Sequence, residues 1–237
     1  MGNAVRAACE NLIQELVEAA SEVKGGDPSG WQVMGGELRS GGNGYSFAEI
    51  VSALPGGAQL TATGQYTRTR SGDTSFGGHD HWAPSAAAAE VEVDCETGEV
   101  RVLRYAIAAD AGRALHRNSA KGQIEGGAVM GFGLALFEEV AYDEGQLLNA
   151  DAFQYRLPLM RDIPNILSSS MVENGDGPGP FGAKGLAQVG IPGPAPAIGN
   201  AIYDAIGVRL RSTPFTPEKV LRALRGGDRR VEPTAAG

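Results

Sequence analysis

Apolar residues Val5, Ala8, Leu12, Ile13, Leu16, Val17 and Ala20 recur at helical spacing, while Glu10, Gln14, Glu15 and Glu18 take the other side. That period predicts an amphipathic helix, and Gly25-Gly26-Asp27-Pro28 supplies its stop. Residues 29–47 predict a short strand pair, Trp31 to Val33 and Glu37-Leu38, ahead of a Gly-rich turn. Ser46-Phe47-Ala48-Glu49 has capping-box spacing, and Ile50, Val51 and Leu54 fit a short helix behind it. From 58 to 70 the chain alternates through Leu60, Ala62, Gly64 and Tyr66, which is a strand period.

After a Gly/Ser loop at 71–85 comes the clearest hairpin. Glu90 to Val93 and Glu99 to Tyr105 flank the turn Asp94–Gly98, where Gly98 is free to take positive φ. A helix is predicted from about Ser119 to Glu138, followed by a second hairpin over 138–149 that turns at Asp143-Glu144-Gly145. Pro158, Pro164, Pro178 and Pro180 mark 157–181 as an extended, covering segment. Gly182 to Gly193 reads as a Gly-rich loop. Pro194 or Pro196 then opens a helix through Ala205, closed by Gly207. A strand Val208–Arg211, a helix from Thr216-Pro217-Glu218 to Leu224 and a frayed tail at 226–237 complete the reading. The class is α+β, with mixed and antiparallel sheets and packed helices, and hairpins rather than regular βαβ units. Residues 1–225 read as one unit, and a division into two sub-lobes would fall near 110–120.

Composition narrows the picture. The chain has 237 residues, 42% apolar and 20% charged, enough for a buried core and unlike a disordered polymer. Its 35 glycines exceed the usual share of about 7% twofold, yet they are not periodic, which excludes collagen. They cluster beside Pro, Ala and Gln, as where backbone closely approaches another backbone or a ligand. The most apolar run, Gly126–Phe137, is Gly-interrupted and shorter than the ~18–20 residues of a membrane span. The chain opens without the pattern of a secretory leader, and Cys9 and Cys95 lie too far apart for a disulfide framework. A reducing cytoplasm is the expectation. A net charge of −8 argues against a nucleic-acid surface.

Few motifs carry chemistry alone. His79-Asp80-His81 has a metal-like spacing, but nothing nearby completes a tetrahedral set and only His116 remains, so a polar loop is the simpler reading. Asp110 with Arg113 reads as a local ion pair. There is no Gly-x-Ser-x-Gly elbow, P-loop or dinucleotide fingerprint, and Gly131-Phe132-Gly133 inside a helix reads as close packing. Two stretches stand out. In Gly122-Gln123-Ile124-Glu125-Gly126-Gly127, unpaired N–H groups at a helix start and the Gln123 amide could donate to a polar ligand. In Gly182-Ala183-Lys184-Gly185-Leu186-Ala187-Gln188, small residues flank one cation and one amide, suiting either a tight turn or a ligand clamp.

In this order and spacing, these stretches resemble the molybdenum-binding subunit of the xanthine dehydrogenase/aldehyde oxidase family. The anchors run from Val91-Glu92-Val93-Asp94 and Thr97-Gly98-Glu99-Val100 through Asp110-Ala111-Gly112-Arg113, Gly122–Gly127 and Phe137-Glu138-Glu139. They continue through Tyr155-Arg156-Leu157-Pro158, Asp162-Ile163-Pro164, Pro180–Gly185, Ala195–Asp204 and Thr216–Val220. The resemblance covers the C-terminal portion of a family large subunit. It implies that a separate chain supplies the upstream molybdenum-binding segments, or that this is a fragment; the opening Met1 favours a natural split subunit.

The resemblance implies a molybdopterin cofactor with molybdenum, with or without an appended cytosine dinucleotide, held between the halves of the subunit. It implies iron–sulfur clusters and FAD on partner subunits, since this chain has neither the cysteines nor the dinucleotide motif for them. The implied reaction is hydroxylation of an N-heterocycle or oxidation of an aldehyde with water-derived oxygen. Gln123, with Gly122, matches the family glutamine near the metal's ligands, and Lys184, Gly185 and Ala187 match the loop facing the cofactor. None of these is a direct metal ligand. The departure is Gln188, at the position of the family's base glutamate. An amide cannot accept a proton near neutral pH. Another group then serves as base, or Gln188 holds a ligand by hydrogen bonds, or the chain is a non-catalytic cofactor-holding or assembly subunit or an altered variant.

Overall fold

The first helix forms where its period places it. In a computed structural model that describes residues 1–57, 59–67, 81–151 and 154–226, α1 (Gly2–Lys24) buries Leu16, Ala19 and Ala20 and ends at Gly25, whose φ of 83° suits glycine. Three short strands follow instead of two: β1 (Gln32–Met34), β2 (Glu37–Ser40) and β3 (Asn43–Ser46) form an antiparallel meander. The third strand hides in Asn43-Gly44-Tyr45, where only Tyr45 is apolar. Ser46 then caps α2 (Phe47–Ser52) through the reciprocal bonds of a capping box with Glu49. Leu16, Ala19, Ala20, Trp31, Leu38 and Ile50 make the core of this region.

Residues 59–67 pair with no strand among the described residues. Asn11 Nδ2 donates to the Thr63 carbonyl at 2.8 Å, and a Cβ at Gly64 would strike the α1 backbone at Ala4 and Ala8. The segment is extended, so its residues alternate as in a strand, but it lies against a helix, which offers no ladder to join. Residues 68–70 of that expected strand, and His79 and Asp80, lie outside the described residues.

The chain divides into two compact units between Asp80 and His81. The stretch at 110–120 is no boundary: it joins a strand to a helix inside the second unit. There β4 (Ser85–Val93) and β5 (Val100–Asp110) form the expected hairpin, lengthened by five residues per strand at the end away from the turn. Gly98 takes φ 77° in its turn, and a Cβ there would collide with the Pro217 carbonyl, so the position needs glycine twice over. α3 (Arg117–Leu136) follows, then the small hairpin of β6 (Tyr142–Asp143) and β7 (Gln146–Leu147).

β8 (Ile166–Val172) runs parallel to β5, in register from Arg104 with Ile166 to Asp110 with Val172. The extended covering segment is thus, at its centre, a strand of the main sheet, ordered β4-β5-β8. Its inward positions are Leu167, Ser169 and Met171, and the serine conceals the period. Ser169 instead gives its hydroxyl hydrogen to Glu125 of α3 at 2.7 Å. α4 (Pro194–Ile206) has proline in its first turn and a left-handed Gly207 at its end, as its sequence demands. The expected strand at Val208–Arg211 shrinks to an isolated bridge at Val208. α5 (Pro217–Gly226) completes the unit. Tyr105, Ile107, Ile124, Phe132, Ile198 and Ile202 lie in the core between sheet and helices. Tyr105 and Phe132 meet edge to face at 4.9 Å.

Candidate functional site

Because β5 and β8 are parallel, both deliver their carboxyl ends to one edge of the sheet, the place where such sheets position loops for function. Three loops meet there. Asp110 closes β5, Glu173 and Asn174 follow β8, and Gly182–Lys184 opens the Gly-rich loop. Backbone bonds lace them together: Lys184 N–H to Ala111 O, Gly175 N–H to Gly112 O, Gly177 N–H to Gly182 O and Gly179 N–H to Ala183 O, all at 2.8–3.0 Å. The approach leaves no room for side chains, since a Cβ on Gly112 would meet the Gly182 carbonyl and one on Gly182 the Gly175 backbone.

Lys184 does not reach outward from this knot. Its side chain is 5% exposed, with Nζ 2.7 Å from Asp110 Oδ2 and 2.8 Å from Asp176 Oδ1. The expected pairing of Asp110 with Arg113 is replaced by this one. Asp110 also accepts from the Gly112 N–H at 2.8 Å and from Asn174 Nδ2 at 3.4 Å, so its carboxylate is fully engaged. Burial works to raise the Asp110 pKa, but the hydrogen bonds from Lys184 and Gly112 and the ammonium charge hold it below the ordinary value. Bonds to Asp110 first, and to Asp176, raise that of Lys184. The sequence showed one cation in a glycine loop; its partners lie about 74 residues upstream and 8 upstream, and only the fold unites them.

α3 begins earlier than its apolar pattern suggests. His116 accepts the Ser119 N–H on Nδ1 at 3.1 Å, and Glu173 takes the Ala114 N–H and pairs with Arg117. Gly122 and Gln123 therefore sit in the second turn, where their N–H groups serve the helix itself, and only the Gln123 side-chain amide faces outward. Gly122 and Gly126 share that exposed side, with open space where a Cβ would stand.

Further along α3, Gly127 and Gly131 accept the return of the Gly-rich loop. A Cβ on Gly127 would lie 3.1 Å from Gly190 Cα, and one on Gly131 2.5 Å from the Ile191 carbonyl. A Cβ on Gly190 would in turn strike the Ile124 carbonyl. Gln123 and Gln188 thus flank a single backbone contact, one residue before Ile124 and two before Gly190. Gly185, Ala187 and Gln188 are exposed, and Gly185 has empty space around its Cα. The structure brings Gly122, Gln123, Gly185, Ala187 and Gln188 to neighbouring exposed segments, and turns Lys184 inward.

Phe132 is core, and Phe181 is exposed with a left-handed φ of 57°. A groove of about 760 Å³ lies at the other end of the sheet, between the starts of β5 and β8. Arg101, Arg156 and Arg161 line it, and Gly122, Gln123, Lys184, Gly185, Ala187 and Gln188 do not. No group of three His, Cys, Asp or Glu among the described residues can hold a metal ion, and no described helix is long and apolar enough to cross a membrane.

A family profile described as a molybdopterin cofactor-binding domain matches residues 1–164. The chain is 36% identical over 228 residues to a probable hypoxanthine oxidase, XdhD, of Escherichia coli K12, covering 94% of this chain and 23% of that protein. It is 35% identical to the aldehyde oxidoreductase molybdenum-binding subunit PaoC of the same organism, over 93% of this chain and 29% of PaoC. Among solved structures, quinoline 2-oxidoreductase from Pseudomonas putida 86 aligns with a TM-score of 0.74 and 25% identity, over 93% of this chain and 29% of its own. The aldehyde oxidoreductase of Desulfovibrio gigas aligns at 0.70 with 32% identity, over 94% and 22%. The chain spans about a quarter of the length of these relatives. The chain belongs to the molybdopterin cofactor-binding domain family.

Proposed function

We propose that this chain forms one wall of a molybdopterin cleft in an oxidoreductase of the xanthine dehydrogenase/aldehyde oxidase type, acting in a larger assembly. The observation that carries this reading is that two exposed amides, Gln123 and Gln188, stand on segments whose backbones meet at Gly127 and Gly190. The residues fit such a group. Open glycine backbone at Gly122, Gly126 and Gly185 lets a flat, polar cofactor come close, and neutral amides can both donate to and accept from it. When bound, the cofactor supplies two-electron oxygen-transfer chemistry. This chain's part is to bind and orient: Gln123 and Gln188 present hydrogen-bonding amides, and Gly185 and Ala187 keep the approach clear.

The other half of the cleft, the iron–sulfur and FAD centres and the small-molecule substrate, an N-heterocycle or an aldehyde, belong to the partner chains and the ligand of that assembly. The cofactor is molybdopterin with or without a cytosine dinucleotide, and the cytoplasm, as a reducing compartment, suits the exposed free Cys9 and Cys95. Purification from the native source, with molybdenum and pterin assayed and co-purifying chains identified by mass, tests this. Near-stoichiometric molybdenum with a chain carrying the complementary cofactor segments supports it; a folded, metal-free, solitary chain overturns it.

Gln188 cannot take a proton, so proton removal in this assembly falls to another group, and the chain's own contribution lies in holding. Where that other group serves less well than a carboxylate at this position, Gln188→Glu raises turnover of the assembled complex, by up to about 10²–10⁴-fold. A fall in turnover would instead assign the Gln188 amide to substrate binding.

A further inference from the structure

The segment that carries Gln188 is short and held at both ends. At its far end Val189 and Gly190 are buried, with Gly190 pressed on the α3 backbone. At its near end the Lys184 N–H bonds Ala111 O at 3.0 Å. Between these points residues 185–188 have their outer face open, and Gly185 contributes no side chain to stiffen them. Such a bridge is only as well placed as its end points, because each glycine released from an anchor regains wide conformational freedom.

The near anchor is more than one backbone bond. The Lys184 stem lies over Gly112, so close that a Cβ there would be 2.9 Å from Lys184 Cγ. Its ammonium reaches past to Asp110 at the end of β5 and to Asp176 in the loop after β8. Lys184 thus ties together three segments that the sheet alone brings only near one another. A lysine meant for a bound anion would show a free, accessible ammonium, and this one is 5% exposed with two carboxylates on it.

We infer that Lys184 is a positioning residue and not a cofactor-facing one: clamped by Asp110 and Asp176, it fixes the near end of the bridge that presents Gly185, Ala187 and Gln188. The inference rests on the proposed cleft for its functional meaning, but the clamp itself does not. Asp176, 58% exposed, is the accessible half of the clamp and Asp110 the buried half. Charge at position 184 matters through its carboxylates, so an arginine there retains the clamp where a methionine loses it.

The test uses the full chain and, in parallel, the assembled complex. Amide hydrogen exchange in the chain reads the clamp without any cofactor. Lys184→Met is expected to speed exchange at the hydrogen-bonded amides of Gly177, Gly179 and position 184 by about tenfold or more, with amides of β5 such as Ile107 unchanged. Lys184→Arg is expected to return most of that protection. Asp176→Asn, a surface change that leaves the buried pair intact, is expected to give a smaller acceleration at the same amides, and it reports even if the methionine variant does not fold. Unchanged exchange in Asp176→Asn, or equal acceleration across sheet and loop, overturns the clamp.

Molybdenum retention in the complex separates the two readings. Faster loss of metal in Asp176→Asn, tracking its loop exchange, supports positioning. Loss of metal in Lys184→Met with exchange unaltered would assign Lys184 to the cofactor and overturn the inference while leaving the cleft intact. Accelerated exchange with metal retention unchanged in both variants would keep the clamp and remove this loop from the cleft.

Discussion

Asp110 concentrates the electrostatics of this protein in one carboxylate. Three donors converge on it, and its pKa lies below the ordinary 3.8 despite burial, while that of Lys184 lies above 10.5. The sign of the linkage follows. A depressed carboxyl stabilises the fold above its unfolded pKa, and that contribution is lost as pH falls through the folded value; a raised ammonium stabilises below its unfolded pKa and is lost as pH rises through the folded one. The pair therefore contributes fully between about pH 4 and pH 10 and fails first on the acid side for Asp110 and on the alkaline side for Lys184. Asp110→Asn, which leaves the lysine buried beside a neutral amide, is expected to lower the urea midpoint at neutral pH, with the deficit shrinking as pH falls below about 4. Urea titrations of both proteins from pH 7 down to about 3 check this; a deficit that persists undiminished in acid would show that the carboxylate's charge is not its cause. None of this is visible in Asp110-Ala111-Gly112-Arg113, where the nearest cation in sequence is Arg113. Sequence proximity favoured a local pair, and the crossing of three loops decided otherwise.

At the scale of elements, caps and glycine stops were readable because their physics is local. The Ser46–Glu49 box, the end of α1 at Gly25 and the end of α4 at Gly207 need only neighbouring residues, and all form as expected. Elements whose partners lie far away were not. β8 reads as covering chain because Ser169 replaces an apolar inward residue, and residues 59–67 read as a strand because extended chain has the same period with or without a ladder. The glycines of α3 show the same limit: Gly126 and Gly131 are indistinguishable in sequence, yet one faces open space and the other the backbone of another loop. Their alanine variants are expected to differ in sign. Gly126→Ala relieves the entropic cost of glycine inside a helix and stabilises the chain by about 0.5–1 kcal/mol. Gly131→Ala drives a methyl into the Ile191 carbonyl and the Pro194 ring, and destabilises by about 1–3 kcal/mol. Chemical denaturation of the two variants beside the parent decides it; equal shifts would mean that the loop does not press on α3 at Gly131.

The molecule as a whole is built on two separate cores. The residues of the first, Leu16 through Ile50, all precede residue 58, and those of the second, Val102 through Phe215, all follow residue 81. The division at Asp80–His81 was hidden from sequence because the same Gly- and Ser-rich loop signal marks turns within a unit and joints between units alike. The two cores differ in size, and a unit of some 80 residues with six buried core side chains among its described residues sits near the lower limit of what burial can hold together. The first unit is therefore expected to melt first. The two tryptophans make that observable: Trp31 is 6% exposed in the first core, while Trp82, at 59%, belongs to the second unit and its emission already reports water. On heating, the red shift of tryptophan emission is expected to run ahead of the loss of far-ultraviolet dichroism, which follows mostly the larger unit's helices and sheet. Trp31→Phe should abolish the early fluorescence transition and leave the later one in place. Coincident transitions by both probes would mean that the two cores unfold as one, and the cleft wall would then inherit its rigidity from the entire chain rather than from the second unit.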